Sequence, residues 1–348
     1  MKNCILAATL FGVAFSFAED KELVDIESKA QGFVLETKQI QIPGYPIAFN
    51  PSLIRWRGQL LMSFRIIPDR RRKYDSEIGL VFLNEDFKPI SDPQLLSLRD
   101  EYTTAPCRAE DARLLTIGDR LFAIYDDNTE EKLSKGGFRL YVAELFFDGE
   151  HFIAGNVERL SYYEGETRDL REKAWVPFEY QGALLLAYSL LPHKIFCPRL
   201  DGSETCDTIA LSTSLIDWRL GTLRGGTPGF IDNDRYLAFF HSSKEMATAH
   251  SNGQKILHYF IGAYTFSKEP PFQITSISPE PIVGKGFYNG AVYNHYFKPI
   301  RCVFPCGYIF DGPFLWLAYG RDDHECWVAK IDKQKLLESL VEVDFIQN

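Results

Sequence analysis

Short apolar runs follow polar turns at five places along the chain. The runs cover residues 59–64, 120–125, 183–188, 236–240 and 314–319, and the turns before them are Arg57-Gly58, Gly118-Asp119, Gln181-Gly182, Asn233-Asp234 and Asp311-Gly312-Pro313. A short polar turn followed by about six apolar residues is typical of a β-hairpin. The pattern therefore predicts five hairpins.

The turns recur along most of the sequence. They begin at positions 57, 118, 181, 233 and 311, so the intervals run from 52 to 78 residues. A four-stranded propeller blade occupies a repeat of this size. We therefore predict an all-β protein: a single five-bladed β-propeller over residues 19–348, with a short C-terminal helix at 333–343. A β-sandwich is the competing fold, but it does not explain five recurrences.

The segments that lead into the hairpins carry polar and charged residues in place of ordinary loop sequence. They are 49–53 with Asn50, 109–113 with Glu110, Asp111 and Arg113, 172–178 with Lys173 and Trp175, 225–229 with Thr227, and Asn289-Gly290-Ala291 in the fifth repeat. The innermost strand of each propeller blade lines the central channel, so these segments should meet at one mouth. The sequence thus predicts one pocket that contains carboxylates, cations and aromatic groups.

The first 18 residues have the pattern of a secretory signal peptide. Lys2 supplies a positive charge, residues 4–17 are nearly all apolar or small, and Ser16-Phe17-Ala18 fits a cleavage site. The apolar run is shorter than the ~20 residues that span a bilayer. We expect an exported protein, in the periplasm, the exterior or the secretory pathway, without stable membrane insertion.

Composition narrows the function classes. Hydrophobic residues make up 45% of the 348 residues and aromatic residues 14%, which suits a strand-rich core. The net charge of −9 argues against a nucleic-acid partner, since the one basic cluster, residues 70–73, is short and suits a solvated loop.

Six cysteines remain after the leader, and an even number in an oxidising compartment permits disulfides. Cys197 and Cys206 bracket a polar stretch, so we predict a bridge between them. Cys302 and Cys306 have a spacing too loose for a zinc site, and no metal or cofactor is expected.

Four ordered stretches resemble glycoside hydrolase family 130, five-bladed propellers that comprise β-mannoside phosphorylases and hydrolases and related mannosyltransferases. The stretches are Glu110-Asp111-Ala112-Arg113, Lys173-Ala174-Trp175-Val176-Pro177, Gly225-Gly226-Thr227-Pro228 with Phe240-His241, and Tyr319-Gly320-Arg321-Asp322-Asp323. They span residues 50 to 330 in the family's order. The resemblance implies an inverting enzyme that acts on a glycoside or oligosaccharide by hydrolysis or phosphorolysis, with a glycosyltransferase or a non-catalytic carbohydrate-binding propeller as alternatives.

By this resemblance Asp111 is the general acid that protonates the leaving sugar oxygen. If residues 110–113 are extended, Asp111 and Arg113 share one face and Glu110 takes the other. A neighbouring arginine lowers a carboxyl pKa, whereas an acid needs a raised one. Burial or the charge of Glu110 would have to restore it.

The nucleophile stays open between phosphate and water. Arg65, Arg113, Lys173, His193 and His241 form a supply of cations suited to inorganic phosphate as a co-substrate. The chain departs from the phosphorylase pattern at Ala112 and Ala174, where the family has proline and often an acidic residue. For water as the nucleophile, the base has to be a second carboxylate; the candidates are Glu172, Asp322 and Asp323.

The remaining candidates are substrate contacts. Trp175 and Tyr319 are expected to stack on sugar faces, and Asn50 and Thr227 to contact the sugar from their inner segments. The aspartate pairs 126–127 and 322–323 also fit a metal-dependent nucleotide-sugar transferase, although paired aspartates are common in turns that bind no metal.

Overall fold

The computed structural model describes residues 23–69, 71–72, 75–98, 107–127, 138–165, 173–293 and 298–345. The predicted leader, residues 1–18, and Glu172 lie outside the described residues. Within them the protein is all-β, apart from two 3-10 turns and the helix α1 (Lys333–Ser339). The strands in chain order are β1 (Val34–Ile40), β2 (Phe49–Trp56), β3 (Gln59–Ile66), β4 (Glu77–Leu83), β5 (Gln94–Leu95), β6 (Glu110–Ile117), β7 (Arg120–Asp127), β8 (Arg139–Phe147), β9 (Phe152–Leu160), β10 (Val176–Tyr180), β11 (Ala183–Leu190), β12 (His193–Pro198), β13 (Cys206–Ser212), β14 (Arg224–Gly225), β15 (Phe230–Asp232), β16 (Arg235–Ala247), β17 (Lys255–Ser267), β18 (Ile274–Ile277), β19 (Ile300–Arg301), β20 (Val303–Asp311), β21 (Phe314–Arg321), β22 (Glu325–Asp332) and β23 (Val341–Glu342).

The strands form sheets in a β-propeller arrangement. The first sheet is β2-β3-β4-β5, the second β6-β7-β8-β9 and the third β10-β11-β12-β13, each in simple up-and-down order. The fourth sheet is larger. β14 and β15 pair with successive stretches of β16, which is followed by β17, β18 and β23, and β19 pairs with β17. The fifth sheet is β20-β21-β22 with β1 from the start of the chain, and this pairing of β1 with β22 joins the two ends of the fold.

All five predicted hairpins are confirmed by the strand register. The pairs that flank the turns are Trp56 with Gln59, Ile117 with Arg120, Tyr180 with Ala183, Asp232 with Arg235, and Asp311 with Phe314. Arg57 and Gly58 both have a positive φ, 49° and 79°, as do Gln181 and Gly182. Two left-handed residues match the twist of the flanking strands, which is why such turns favour glycine.

Neighbouring sheets pack on each other through aromatic and aliphatic side chains. Between the third and fourth sheets, the ring of Phe178 lies 5.0 Å from Tyr236 and 5.2 Å from Phe266, with all three side chains fully or almost fully buried. Edge-to-face ring pairs of this kind add to the stabilisation that burial alone provides. The packing holds the first strand of each sheet towards the centre.

Two predicted boundaries are wrong. The helix ends at Ser339, not at 343, because β23 pairs with Ser276 and Ile277 of β18. The inner strand of the fifth sheet is β20, not the segment 289–291, which forms no strand. In its place, Pro305 and Gly307 of β20 face the neighbouring inner strands.

The predicted bridge between Cys197 and Cys206 is also wrong, since both thiols are free. Cys197 is opposite Asp207 in the β12–β13 ladder, and Cys206 is opposite Pro198. Opposed residues share a face and successive residues alternate, so the two cysteines lie on opposite faces of the sheet. Cys206 is buried against the second sheet, whereas Cys197 packs towards the fourth.

Candidate functional site

The inner strands of the first three sheets share an unusual residue at one end. Asn50, Asp111 and Ala174 have φ values of 50°, 54° and 66°, and the register shifts around the first two. Non-glycine residues with positive φ are uncommon and occur at bulges that re-aim side chains. The bulge at Asp111 changes the predicted alternation: Glu110 and Asp111 do not take opposite faces but contact the same arginine.

Arg65 joins the two acidic residues. Its Nη2 donates to Glu110 Oε1 at 2.7 Å, and its Nη1 lies 3.3 Å from Asp111 Oδ1. Asn50 Nδ2 donates to the same Asp111 oxygen at 2.8 Å. These four side chains come from β2 and β3 of the first sheet and β6 of the second, and all are buried. The cluster is therefore held in one geometry before any ligand enters.

Lys173 completes the cluster from the third sheet. Its Nζ donates to Glu110 Oε2 at 3.3 Å and lies 4.5 Å from the centre of the Phe138 ring. Burial acts to lower the pKa of Lys173, but the carboxylates of Glu110 and Asp111 outweigh it and raise that pKa. The lysine is therefore held in its charged form.

Asp111 is held as a carboxylate. Burial acts to raise its pKa, but the charges of Arg65 and Lys173 and the hydrogen bond from Asn50 outweigh it, so the pKa is lowered. The net increase in pKa that a general acid requires is thus absent at Asp111. Asp111 is therefore ionised at neutral pH, where it accepts hydrogen bonds and has no proton to donate.

Two further aspartates have the opposite electrostatics. Burial raises the pKa of Asp126 to about 7 and that of Asp323 to about 7, and the charges of Asp111 and Glu110 add to both increases. Arg65 and Lys173 oppose the increase at Asp323. The site thus contains carboxyl groups whose proton affinities lie on opposite sides of the ordinary value.

Asp322 faces away from this cluster. Its Oδ2 accepts from Arg301 Nη1 at 2.9 Å and its Oδ1 from the backbone N–H of Cys302 at 2.7 Å. Burial raises its pKa to about 6, against the effects of both partners. Both oxygens of Asp322 thus already accept hydrogen bonds, whereas Asp323 is the carboxyl of the pair that interacts electrostatically with Arg65 and Asp111.

Arg113 and His241 lie on the inner side of the cluster. Arg113 is fully buried; its Nε donates to the carbonyl of Gly226 across the ring, and its Nη1 donates to the Asp111 carbonyl at 3.0 Å. Burial and the charge of Arg113 lower the pKa of His241 to about 3. His241 is therefore neutral, and its ring packs 4.5 Å from Phe304.

Four predicted contacts lie outside the cluster. Trp175 is 1% exposed and packs among Tyr163, Tyr188 and Phe196, and Tyr319 is fully buried against Phe287. In this packing neither ring presents a face to a sugar.

The other two are His193 and Thr227, both fully buried. His193 Nδ1 lies 2.7 Å from the carbonyl of Phe272, and burial lowers its pKa to about 4. Thr227 donates to the Pro228 carbonyl and accepts from the Phe239 N–H at 3.0 Å, so it fixes the turn before β15.

The sequence placed Asp126 only in an aspartate pair that fits a metal site, and its membership of this cluster was missed, although a signal for it exists. In three sheets a polar residue of the second strand lies opposite the first residues of the inner strand, as the register pairs Phe49–Arg65, Glu110–Asp126 and Arg224–His241 show. In each case a polar side chain directly follows an apolar run. A charged residue that ends such a run is the signal for this mouth.

The clefts on the outer rim are separate from these charges. One of 870 Å³ lies between the first two sheets beside Phe82 and Phe152, and one of 460 Å³ lies beside Tyr45 and Cys326. Across the described ranges, no group of three His, Cys, Asp or Glu side chains has a metal-binding arrangement. None of the helices in those ranges has the length and apolar character needed to cross a bilayer.

No family model matches the sequence, and no curated protein is significantly similar to it. Solved structures do share the fold. A β-1,2-mannobiose phosphorylase from Listeria innocua, solved with β-1,2-mannobiose, has a TM-score of 0.56 at 15% identity, over 90% of this chain and 95% of the other. A mannose phosphorylase from Leishmania mexicana, solved with a phosphate ion, has 0.57 at 13% identity, over 92% and 94%.

A glycosyl hydrolase from Bacteroides ovatus has a TM-score of 0.55 at 15% identity, over 94% of this chain and 96% of the other. This chain therefore shares its fold with these three proteins. At such identities the likeness concerns the fold alone, and the chemistry has to be argued from the side chains.

Proposed function

We propose that this propeller is a carbohydrate-active enzyme whose active site is the cluster of Asp111, Glu110, Arg65, Lys173 and Asp323. One observation carries the proposal: Arg65 joins two buried carboxylates at the mouth while a third carboxyl, Asp323, has its pKa raised to about 7. Paired carboxyl groups with divergent proton affinities are the equipment of glycoside cleavage.

We also propose that the propeller has five blades and that the seven-stranded fourth sheet is one of them. Its inner edge is divided between β14 and β15, which pair with the two ends of β16 where the other sheets have one inner strand. Gly225 at this edge lies against Ala174 of the third sheet, and Gly226 against Pro305 of the fifth. These contacts support a position for the fourth sheet around the axis equivalent to that of its neighbours.

The divergent pKa values assign the proton transfers. A group that donates a proton at neutral pH needs a raised pKa, which Asp323 has and Asp111 does not. We assign the acid role to Asp323 and leave Asp111 as the ionised carboxylate, which activates the nucleophile or binds sugar hydroxyls. The resemblance gives the acid role to Asp111 instead, and the two assignments differ in a measurable way.

The substrate class proposed is a β-mannoside-like glycoside, cleaved with inversion. Two of the structures that share the fold are named as a β-1,2-mannobiose phosphorylase and a mannose phosphorylase. Incubating the purified protein with β-mannosides, with and without inorganic phosphate, tests the class. Free mannose would indicate hydrolysis and mannose 1-phosphate phosphorolysis; turnover only with an activated donor would indicate a transferase. Binding without turnover would overturn the enzymatic proposal in favour of a carbohydrate-binding propeller.

Leaving-group dependence tests the acid. A dinitrophenyl leaving group departs without protonation, so Asp323→Asn should retain activity on dinitrophenyl β-mannoside while losing ~10²–10⁴-fold on a mannobiose. Asp111→Asn should lose activity on both substrates. If Asp111→Asn is the variant rescued by the activated leaving group, the assignment to Asp323 is wrong. Asp232→Asn is the matched control, because Asp232 is a buried carboxylate bound to Lys333 at the far, hairpin end of β16.

A further inference from the structure

Asp126 is a buried carboxyl group to which no described residue donates a hydrogen bond. It ends the apolar run of β7, opposite Glu110 on one side and Leu140 on the other. Its side chain is 1% exposed, and neither carboxyl oxygen has a hydrogen-bond partner within the described parts of the chain. Buried polar atoms are normally satisfied, so an orphaned carboxyl group points to a functional arrangement.

The cation nearest to Asp126 is Arg113. Asp126 Oδ2 lies 4.0 Å from Arg113 Nη1, and both side chains are almost completely excluded from solvent. Arg113 Nη2 also has no partner among the described residues, while its Nε and Nη1 are held by backbone carbonyls. The guanidinium of Arg113 thus has one nitrogen, Nη2, that is free to donate, and the acidic group beside this guanidinium is Asp126.

The other cations offer little to a free anion. Arg65 is bound by Glu110 and Asp111, and Lys173 is bound by Glu110. His241 has an unpartnered Nδ1 and is 5% exposed, but it is neutral, so it contributes a hydrogen bond and no charge. Any dianion at this place would depend on Arg113 and would lie beside a carboxylate.

We propose that Asp126 is the internal counter-anion of Arg113, that it excludes inorganic phosphate from this part of the site, and that water is the co-substrate. The inference rests on the proposed function for its reaction, whereas the predicted exclusion of phosphate does not depend on that function. Two like charges in a site of low dielectric repel strongly, so a dianion beside ionised Asp126 is disfavoured, whereas a neutral water molecule meets no such repulsion.

The corresponding reaction balances without a further reactant. The oxygen of water forms a bond to the anomeric carbon and gives up one proton. The glycosidic C–O bond breaks, its electron pair stays on the leaving oxygen, and that oxygen takes up one proton. In the assignment above the first proton goes to Asp111 and the second comes from Asp323.

Inorganic phosphate is the probe for the test. Isothermal titration of the intact protein at pH 8, where Asp126 with its pKa of about 7 is ionised, should show no saturable binding of phosphate to the wild type. Asp126→Asn, which is close to isosteric, should bind phosphate at least about tenfold more tightly, since it removes the repelling charge and keeps the volume. Asp126→Ser, which removes the charge with a smaller side chain, should give the same result and covers the case in which Asp126→Asn does not fold.

The matched control is Glu144→Gln. Glu144 is a buried carboxylate of the same sheet, bound by Arg120 Nε at 2.7 Å. It lies on β8 opposite Phe122, which is four residues before Asp126 on β7. It should leave phosphate binding unchanged. Wild-type protein that binds phosphate as tightly as Asp126→Asn would overturn the inference.

The two proposals fail separately. If no glycoside is cleaved but the Asp126 variants gain phosphate binding, the counter-anion role stands and the enzymatic function falls. If glycosides are cleaved only when phosphate is present, the counter-anion role falls and the enzymatic function stands. Formation of a sugar 1-phosphate by Asp126→Asn, but not by the wild type, would support both.

Discussion

Arg301 donates a hydrogen bond to Asp322 across 2.9 Å, and both side chains are almost completely buried. The remaining donors of this guanidinium bind three backbone carbonyl groups, those of His250, Gly290 and Ala291. The pair therefore ties the end of β21 to the loops of the fourth sheet. It also fixes the turn in which Asp322 and Asp323 have φ values of 53° and 49°, and so the position of the carboxyl group proposed as the acid.

Asp322→Ala should destabilise the protein strongly. The substitution leaves Arg301 buried without its counterion and the N–H of Cys302 without its acceptor. Breaking one side of a buried pair costs about 3–5 kcal/mol. The free energy of unfolding in urea measures this loss.

An exposed ion pair provides the comparison. Arg199 and Asp207 form a 2.8 Å pair in which both side chains are about half exposed. Arg199→Ala should change the free energy of unfolding by less than about 1 kcal/mol. Equal losses in the two variants would contradict a special role for the Arg301–Asp322 pair.

Gly226→Ala should disturb the centre of the ring. A Cβ at this position would lie 2.6 Å from the Phe239 carbonyl oxygen and 2.8 Å from Pro305 Cγ. The same residue accepts the hydrogen bond from Arg113. We expect a loss of about 1–3 kcal/mol from overpacking, measured by urea unfolding. Gly32→Ala, with no heavy atom within 4 Å of the new Cβ, should be nearly neutral; a similar loss there would contradict the steric explanation.

The hairpins were predictable because their signals are local. A turn such as Gln181-Gly182 needs positive φ at both residues, and the strand that follows reads as an unbroken apolar run. Because these signals are local, the order of the strands along the chain could also be predicted. The end of α1 was not predictable, because Val341 leaves the helix to pair with Ile277, a partner 64 residues away.

The sequence predicted which residues form the site better than it predicted how their side chains are arranged. Asp111, Glu110, Arg65 and Lys173 do come together, as the convergence of inner segments implies. The left-handed φ of Asp111 depends on contacts between sheets, so extended geometry was the natural expectation and was wrong. Buried aromatic residues such as Trp175 look the same in sequence whether they bind a sugar or fill a core.

Cys197 and Cys206 should remain free thiols in the native protein under oxidising conditions. Their side chains lie on opposite faces of the third sheet, so a bridge would require the β12–β13 register to shift. Alkylation of the denatured protein without reductant, followed by mass spectrometry, should label both residues. A peptide that links residues 197 and 206 would disprove this register.

The mature protein should begin at Glu19. The small residues Ser16 and Ala18 fit the specificity of signal peptidase, and the charged residues that follow suit a mature N-terminus. Expression in a secreting host and mass measurement of the product should show loss of 18 residues. A secreted product that keeps Met1, or a protein retained in the cytoplasm, would contradict the export prediction.

Asp126 should make the stability of the protein depend on pH. Its pKa is about 7 in the folded protein, against an ordinary value of 3.8. Well below pH 3.8 the group is protonated in both the folded and unfolded states, and its contribution to stability is complete. As the pH rises towards 7 the unfolded chain releases this proton first, so the folded state loses stability and the loss ends just above the folded pKa.

The difference between wild type and Asp126→Asn isolates this group from Asp322 and Asp323, whose pKa values are also raised. A shift of this size corresponds to about 4 kcal/mol. From pH 4 to pH 8 the wild type should therefore lose up to about 4 kcal/mol more than the variant, measured as free energies of unfolding in urea. Parallel pH profiles would show that Asp126 is already ionised in the folded protein, and a variant that is relatively more stable at low pH would reverse the sign of the predicted coupling.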